Sequence, residues 1–168
     1  MNLTVTRSRI GWWAAVAALV AIPVFILHNS PAGSSGSQVT RGEFRVFAAG
    51  VGDPRFADLR GHAQMVRAAD GKTIVKVEVT GLVPDTTYPV HVHAAACDVG
   101  SADGHFQFQP GGAVDSYNEL WPGFTTNPAG AGNGMAVADR TAGEKAVSVV
   151  IHSPDATPAP KVACADLK

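Results

Sequence analysis

The stretch GHAQMVRAADGKTIVKVEVTGL, residues 61–82, contains the clearest structural signal in the chain. From residue 75 to 79 every second position is valine and the positions between are charged. This is the period of a β-strand with one buried and one solvated face. Asp70-Gly71, between the two halves of the stretch, is typical of a tight hairpin turn. The sequence therefore predicts an antiparallel hairpin over residues 61–82.

Strand-like runs recur on both sides of this hairpin, and no segment shows a convincing helical period. The chain has 18 glycines and 11 prolines in 168 residues, a composition suited to short strands joined by long loops. We predict an all-β sandwich or barrel in which the long connection 94–131 carries function. The further predicted strands are EFRVFAA (43–49), PDTTYPVHVH (84–93), GNGMAVADR (132–140), KAVSVVIH (145–152) and PKVACADL (160–167).

The N-terminal residues have the pattern of an export segment. Arg7 and Arg9 precede the uncharged run IGWWAAVAALVAIPVFIL (10–27). We predict a signal peptide or membrane anchor over 1–28, and both alternatives stay open, because the run is long for a signal peptide and short for a membrane span. A Ser/Gly-rich linker over 29–41 then leads to a β-domain at 42–168. Either alternative places the domain outside the cytoplasm, in the cell envelope or secreted.

The chain contains two cysteines, Cys97 and Cys164, and both lie in the part predicted to be exported. An even number of cysteines in an oxidising compartment favours one disulfide over two free thiols. Such a bond would join the loop after the strand 84–93 to the C-terminal strand. No CxxC motif is present.

Four histidines indicate a metal site. His91 and His93 stand two apart in a predicted strand, so their side chains point to the same face. His105 follows in a glycine-rich loop, and His152 ends an apolar strand. Four imidazoles suit copper, zinc, iron or nickel, and spacing alone does not choose among them. We assign no chemistry to His28 or His62.

Together these motifs resemble the copper/zinc superoxide dismutases. The resemblance is carried by GLVPDTTYPVHVHAAAC, DGHF, VSVVIHSPD and KVACADL, in the family's order, and it covers about Phe44 to Leu167. It implies a Greek-key β-barrel of eight antiparallel strands and a disulfide between Cys97 and Cys164. It also implies one copper ion held by His91, His93, His105 and His152, with His105 as the ring that takes up a proton.

The resemblance is incomplete at the zinc site. The family has two further histidines and an aspartate after the His105 position, whereas no histidine lies between His105 and His152 in this chain, and Trp121 stands near an expected zinc histidine. We therefore expect a member without zinc, either copper-only or no longer catalytic. The second nitrogen of His105 then needs another partner, and Glu119 and Asp115 are the two acids that could orient it.

A second departure is Lys161, which stands three residues before Cys164 where the family has an arginine beside the copper. By resemblance this residue attracts and binds superoxide. Lysine keeps the charge that steers an anion, but it lacks the planar fork of arginine. We therefore expect a slower enzyme rather than an inactive one.

The predicted function is copper-dependent dismutation of superoxide to O₂ and hydrogen peroxide. A non-catalytic copper-binding protein for sequestration or delivery is the main alternative. A zinc hydrolase lacks a general-base motif such as HExxH, and a structural sandwich would leave the histidines incidental. The net charge of −1 argues against nucleic acid as a partner. A membrane contact is expected only if the N-terminal segment is retained.

Overall fold

The computed structural model describes residues 36–47, 50, 52–155 and 157–168. The export segment predicted for residues 1–28 lies outside this part. No helix within the described ranges is both long and apolar enough to cross a membrane.

The described residues form an all-β fold, as predicted. Two four-stranded antiparallel sheets and one two-stranded pair account for ten strands, and a single 3-10 turn occupies Gly100–Ala102. The strands are β1 Gln38–Glu43, β2 Arg45–Val46, β3 Arg60–Arg67, β4 Thr73–Thr80, β5 Thr87–Tyr88, β6 Val90–His93, β7 Phe124–Thr125, β8 Gly132–Ala138, β9 Ser148–His152 and β10 Lys161–Asp166.

The first sheet has the order β1-β3-β4-β8, and it contains the predicted hairpin as β3 and β4. The Gly71 N–H donates to the carbonyl of Ala68 at 3.0 Å, which closes the turn that Asp70-Gly71 predicted. The alternating valines of β4 are buried, while Lys76 and Glu78 are exposed. Their burial against the second sheet supplies the apolar area that fixes the register of this hairpin.

The second sheet has the order β2-β10-β9-β6, so its strands come from distant parts of the chain. Val90 and Val92 of β6 face the main core between the sheets. The opposite face of this sheet carries a smaller apolar cluster of Val150 and Cys164, against which Cys97 and Ala102 from the loop after β6 pack. The loop after β6 therefore covers the outer face of the second sheet, and His91, His93 and His152 lie on that face.

The structure differs from the sequence prediction at three strands. Residues 38–41, which composition assigned to the linker, belong to β1 and pair with β3 from Gln38↔Arg67 onward. An edge strand forms through backbone hydrogen bonds to one neighbour, so polar side chains in residues 38–41 are compatible with a strand. The predicted strand 84–93 is divided at Pro89, which has no N–H to donate. The two-residue strand β7 was not predicted, and ten strands occur where about eight were expected.

Candidate metal centre

His91 and His93 share the outer face of β6 because side chains alternate along a strand. Val90 and Val92 take the positions that face the main core, which leaves the two imidazoles on the side covered by the loop. His91 pairs across the sheet with Val150, and His93 pairs with Ser148. The strand therefore fixes the direction of both rings before any loop is considered.

His105 is brought beside this pair by backbone hydrogen bonds from the loop to β6. The Ala94 N–H donates to Gly104 at 3.0 Å, and the Phe106 N–H donates to Val92 at 2.8 Å. His105 forms a single antiparallel bridge with His93 between these two bonds. The His91 and His105 ring centroids are consequently 4.0 Å apart.

His152 is the last residue of β9 and completes the group. Its backbone N–H donates to Pro89 at 2.9 Å, which places it at the start of β6. Its side chain points to the same face as Val150, and its ring centroid is 4.9 Å from that of His91. One ring nitrogen from each of the four histidines lies within 4.8 Å of the others.

These four residues could hold one metal ion. Metal–imidazole bonds are about 2.0–2.1 Å long, so opposite ligand atoms in such a site are about 4 Å apart. The nitrogens of this cluster lie within 4.8 Å of one another, and the Nε2 atoms of His93 and His152 are 3.4 Å apart, so the cluster is compact enough for one ion. The four histidines singled out from the sequence are thus brought together by the fold.

Hydrogen bonds from Nδ1 to backbone carbonyls determine which nitrogen two of the rings offer. The Nδ1–H of His93 donates to the carbonyls of Ala102 and Asp103, each at 3.1 Å, and the Nδ1–H of His152 donates to Ala159 at 3.0 Å. A carbonyl oxygen can only accept, so both neutral rings carry their proton on Nδ1 and present an Nε2 lone pair. The chain thereby fixes the tautomer that a metal ligand requires.

Two features of the cluster are unfavourable without a cation. The Nε2 atoms of His93 and His152 are 3.4 Å apart, with lone pairs that face each other. The Nδ1 atom of His91 is buried and has no hydrogen-bond partner. A buried polar atom without a partner costs roughly 1–3 kcal/mol. A bound cation would satisfy all three atoms, so the residues present fit a metal ion.

Burial lowers the pKa of both histidines of β6. Desolvation, followed by the neighbouring His105, lowers the pKa of His91 and of His93 to about 3. The pKa of His152 is also lowered, mainly by burial. These rings are therefore neutral at physiological pH, as metal ligands must be.

Glu119 orients the fourth ring. Its Oε2 accepts the Nδ1–H of His105 at 2.7 Å and the indole N–H of Trp121 at 2.8 Å, while Oε1 accepts from Gln107 at 3.0 Å. Glu119 is 2% exposed. Burial alone would raise the pKa of Glu119, but the bonds from Trp121, Gln107 and His105 together lower it below its ordinary value. A buried carboxylate is thus fixed beside the four histidines.

The position of residues 119–121 beside β6 explains this placement. The Val92 N–H donates to the carbonyl of Leu120 at 3.0 Å, which holds the segment against β6. Leu120 is buried in the main core, so its two neighbours point to the opposite side, where the histidines lie. Glu119 and Trp121 thus reach the cluster together.

The other acid considered from the sequence, Asp115, lies elsewhere in the loop. Its Oδ1 accepts the backbone N–H groups of Tyr117 at 3.0 Å and Asn118 at 2.8 Å. This is a local turn of the kind that Asp commonly caps. Of the two acids, Glu119 is the one that contacts His105.

Lys161 lies beside the cluster, directly across the sheet from His152. Its Nζ donates to the carbonyl of Ser101 at 2.9 Å and also to that of Asp103. The positive charge expected from the sequence is therefore near the histidines, and the ammonium group of Lys161 is hydrogen-bonded to the backbone of the loop.

The disulfide predicted between Cys97 and Cys164 is present. It attaches the loop after β6 to β10, and the N–H of Cys97 also donates to Asp166 at 2.8 Å. This attachment is close to the turn that contacts His93 and Lys161.

Sequence reasoning missed two polar residues of the site, Trp121 and Gln107, as partners of Glu119. The sequence contains a weak signal that Glu119 and Trp121 share one face. The two residues flank the apolar Leu120, and this alternation is typical of a segment with one buried face. Gln107 stands two residues after His105, but nothing local indicates that both side chains meet one carboxylate.

Comparison with known proteins identifies the fold. Candida albicans superoxide dismutase 5 matches in a Cu(II) structure (17% identity, TM-score 0.53, 78% of this chain and 91% of that chain) and in a structure of a variant (16%, 0.53, 79% and 92%). The clock protein EA4 also matches (18%, 0.55, 77% and 92%). No family model and no curated protein matches the chain.

The chain therefore has a β-sandwich fold like that of Candida albicans superoxide dismutase 5, which confirms the predicted superoxide dismutase resemblance at the level of the fold. Identities of this size show the fold alone. The four converging histidines add a site that could hold a metal ion.

Proposed function

We propose that this protein is a copper-dependent superoxide dismutase that works without a zinc ion. When bound, copper supplies one-electron chemistry in which one superoxide is oxidised to O₂ and a second, with two protons, is reduced to hydrogen peroxide. The observation that carries the proposal is the fixed set of four imidazoles, with the Nδ1 of His105 on a buried carboxylate.

In this proposal His91, His93 and His152 would hold the ion. They belong to adjacent strands of one sheet, and two of them have Nδ1 fixed by backbone carbonyls. The pairing of β6 with β9 fixes the positions of these three residues relative to one another.

We assign proton handling to Nε2 of His105. The opposite nitrogen of the ring keeps its hydrogen bond to Glu119, so a proton can be gained or lost at Nε2 without rotation of the ring. The side chain of His105 is 28% exposed, so water can reach it. Glu119 thus takes the orienting role that a second metal ion has in the resembled family.

We place the protein outside the cytoplasm. The disulfide between Cys97 and Cys164 supports this location, since such bonds persist in oxidising compartments. We also propose that residues 1–28 act as a signal peptide or anchor, and N-terminal sequencing of the protein from its native envelope fraction would decide between the two.

Copper binding without turnover is the second candidate function. Two observations favour it: Lys161 Nζ is engaged with loop carbonyls, and a protein described as a clock protein shares the fold. The same four histidines would serve sequestration or delivery of the ion.

One experiment separates the two. The purified protein is loaded with copper, its metal content is measured, and the decay of a superoxide pulse is followed with the wild type and with H105Q. We expect about one copper per chain, little zinc, catalytic decay for the wild type, and a large loss for H105Q. Tight copper binding with no catalytic decay in the wild type would instead establish the binding protein.

A further inference from the structure

The loop that contacts His93 has an unusual backbone. Three consecutive non-glycine residues have positive φ, namely Ser101 at 55°, Ala102 at 66° and Asp103 at 46°. Residues other than glycine adopt positive φ rarely, because Cβ then approaches a backbone carbonyl oxygen. Ser101, with ψ 50°, is in the left-handed helical region, whereas Asp103, with ψ −141°, is outside it. Such a turn persists only where contacts outside it hold it in place.

Lys161 and His93 provide those contacts. The carbonyl of Ser101 accepts from Lys161, the carbonyl of Ala102 accepts from His93 Nδ1, and the carbonyl of Asp103 accepts from both. The carbonyls of all three positive-φ residues are therefore directed at two donors on the sheet. Ala102 is buried, whereas Ser101 and Asp103 are exposed, so packing alone does not hold the turn.

We propose that Lys161 is a positioning residue that holds the positive-φ turn 101–103, and through this turn fixes the tautomer and orientation of His93. The consequence for copper rests on the proposed function, but the hold itself exists in the metal-free protein. This positioning role of Lys161 differs from the role expected from the sequence, in which Lys161 attracts superoxide.

The physical argument concerns the ammonium group. Lysine has three N–H donors, and two are directed at carbonyls of this turn. Neutralising the side chain would leave the two exposed carbonyls to water and remove the attraction that offsets the backbone strain. The turn would then relax, and the acceptors of the His93 Nδ1–H would move.

The test uses the metal-free protein and three variants: K161Q, K161R and, as a matched control, K145Q. Lys145 is an exposed lysine in the loop before β9. The readouts are the NMR signal of the His93 Nδ1–H and the hydrogen exchange of the amides of Ala94 and Asp103, which lie within hydrogen bonds of this loop. Copper(II) affinity is measured separately by competition with a chelator.

We expect K161Q to broaden or remove the His93 Nδ1–H signal and to speed the exchange of both amides by at least about 10-fold. Copper affinity should fall by about 10-fold, as for other changes that disturb the partner of a ligand. K161R should retain most of the wild-type behaviour, since a guanidinium can also donate to two carbonyls. K145Q should change nothing.

A second variant keeps the proposal testable if K161Q folds poorly. Glycine adopts positive φ without a steric cost, so S101G should stabilise the wild type and restore part of the protection lost in K161Q. An unchanged His93 signal and unchanged exchange in K161Q would overturn the proposal, and so would a failure of S101G both to stabilise the wild type and to rescue K161Q. Absence of superoxide turnover in the wild type would leave these results unchanged. Failure of the proposed function can therefore be distinguished from failure of the proposed role of Lys161.

Discussion

At the scale of single residues, the site depends on which nitrogen each imidazole offers. Backbone carbonyls fix this for His93 and His152, and a carboxylate fixes it for His105. Each of these partners is a hydrogen-bond acceptor, so each of the three rings retains a proton on Nδ1. The orienting groups are therefore as necessary to the proposed site as the ligands themselves.

Replacing Glu119 by glutamine tests the most important of these groups. E119Q keeps the shape but loses the charge that accepts from His105, Trp121 and Gln107. We expect copper(II) affinity and superoxide turnover to fall by about 10- to 100-fold. Both are measured on the purified protein, with E144Q, at an exposed loop acid, as the control.

The variant D115N completes this comparison, because Asp115 was the other acid considered from the sequence. Its carboxylate accepts backbone N–H groups of its own turn, so D115N should lower the stability by about 1 kcal/mol and leave copper affinity near the wild-type value. A loss of affinity in D115N as large as that in E119Q would contradict the orienting role of Glu119.

At the scale of elements, the two sheets contribute differently. The first sheet is built around the β3–β4 hairpin and supplies one side of the main core. The second sheet assembles strands from distant parts of the chain, and its outer face carries the histidines. Stability of the hairpin and attachment of the loop are therefore separable properties.

The glycine that follows β4 tests the close packing of this hairpin. Gly81 has φ +75°, and an added Cβ would overlap the carbonyl of Asp58, whereas Gly71 has φ +88° with open space around it. We expect G71A to cost about 1 kcal/mol from backbone strain alone, and G81A to cost more than about 2 kcal/mol. Urea unfolding of both variants measures the difference, and equal costs would mean that close approach is unimportant at Gly81.

The disulfide tests the attachment of the loop. Cys97 and Cys164 are 67 residues apart in sequence, so the bond should stabilise the fold by about 4 kcal/mol through the unfolded state. The double variant C97S/C164S should lose about this much in chemical denaturation. Reductant should reproduce the loss in the wild type and have no further effect on the variant. Equal stability of the variant and the oxidised wild type would show that packing alone holds the loop.

At the scale of the whole molecule, the cluster makes folding depend on pH. The pKa values of His91 and His93 fall from 6.5 in the unfolded chain to about 3 in the folded, metal-free protein. Below pH 6.5 the unfolded chain binds more protons than the folded protein. The free energy of unfolding is therefore highest above pH 6.5 and decreases as the pH falls towards 3.

We expect a decrease of up to about 1.4 kcal/mol per pH unit for each of these two histidines. Urea denaturation of the metal-free protein between pH 7.5 and 4.5 measures the slope. H93Q should have a shallower slope than the wild type, whereas H62Q, outside the cluster, should retain the wild-type slope. Equal slopes for H93Q and the wild type would exclude His93 as a source of the dependence.

The sequence by itself determined the local features of this protein. The period of two over residues 75–79 and the Asp70-Gly71 turn predicted the hairpin, because strand geometry and turn conformation are set by neighbouring residues. The same period placed His91 and His93 on one face. The two cysteines predicted the disulfide, and the ordered histidine motifs predicted the fold.

Only the tertiary structure decided which groups meet. The choice of Glu119 over Asp115 as the partner of His105, and the engagement of Lys161 with the turn at 101–103, depend on how the connection 94–131 closes over the second sheet. Local propensities in a glycine-rich loop favour no single path, so burial of Leu120 and backbone pairing with β6 select it. The extent of β1 follows the same principle, since an exposed edge strand is defined by its partner and not by its own side chains.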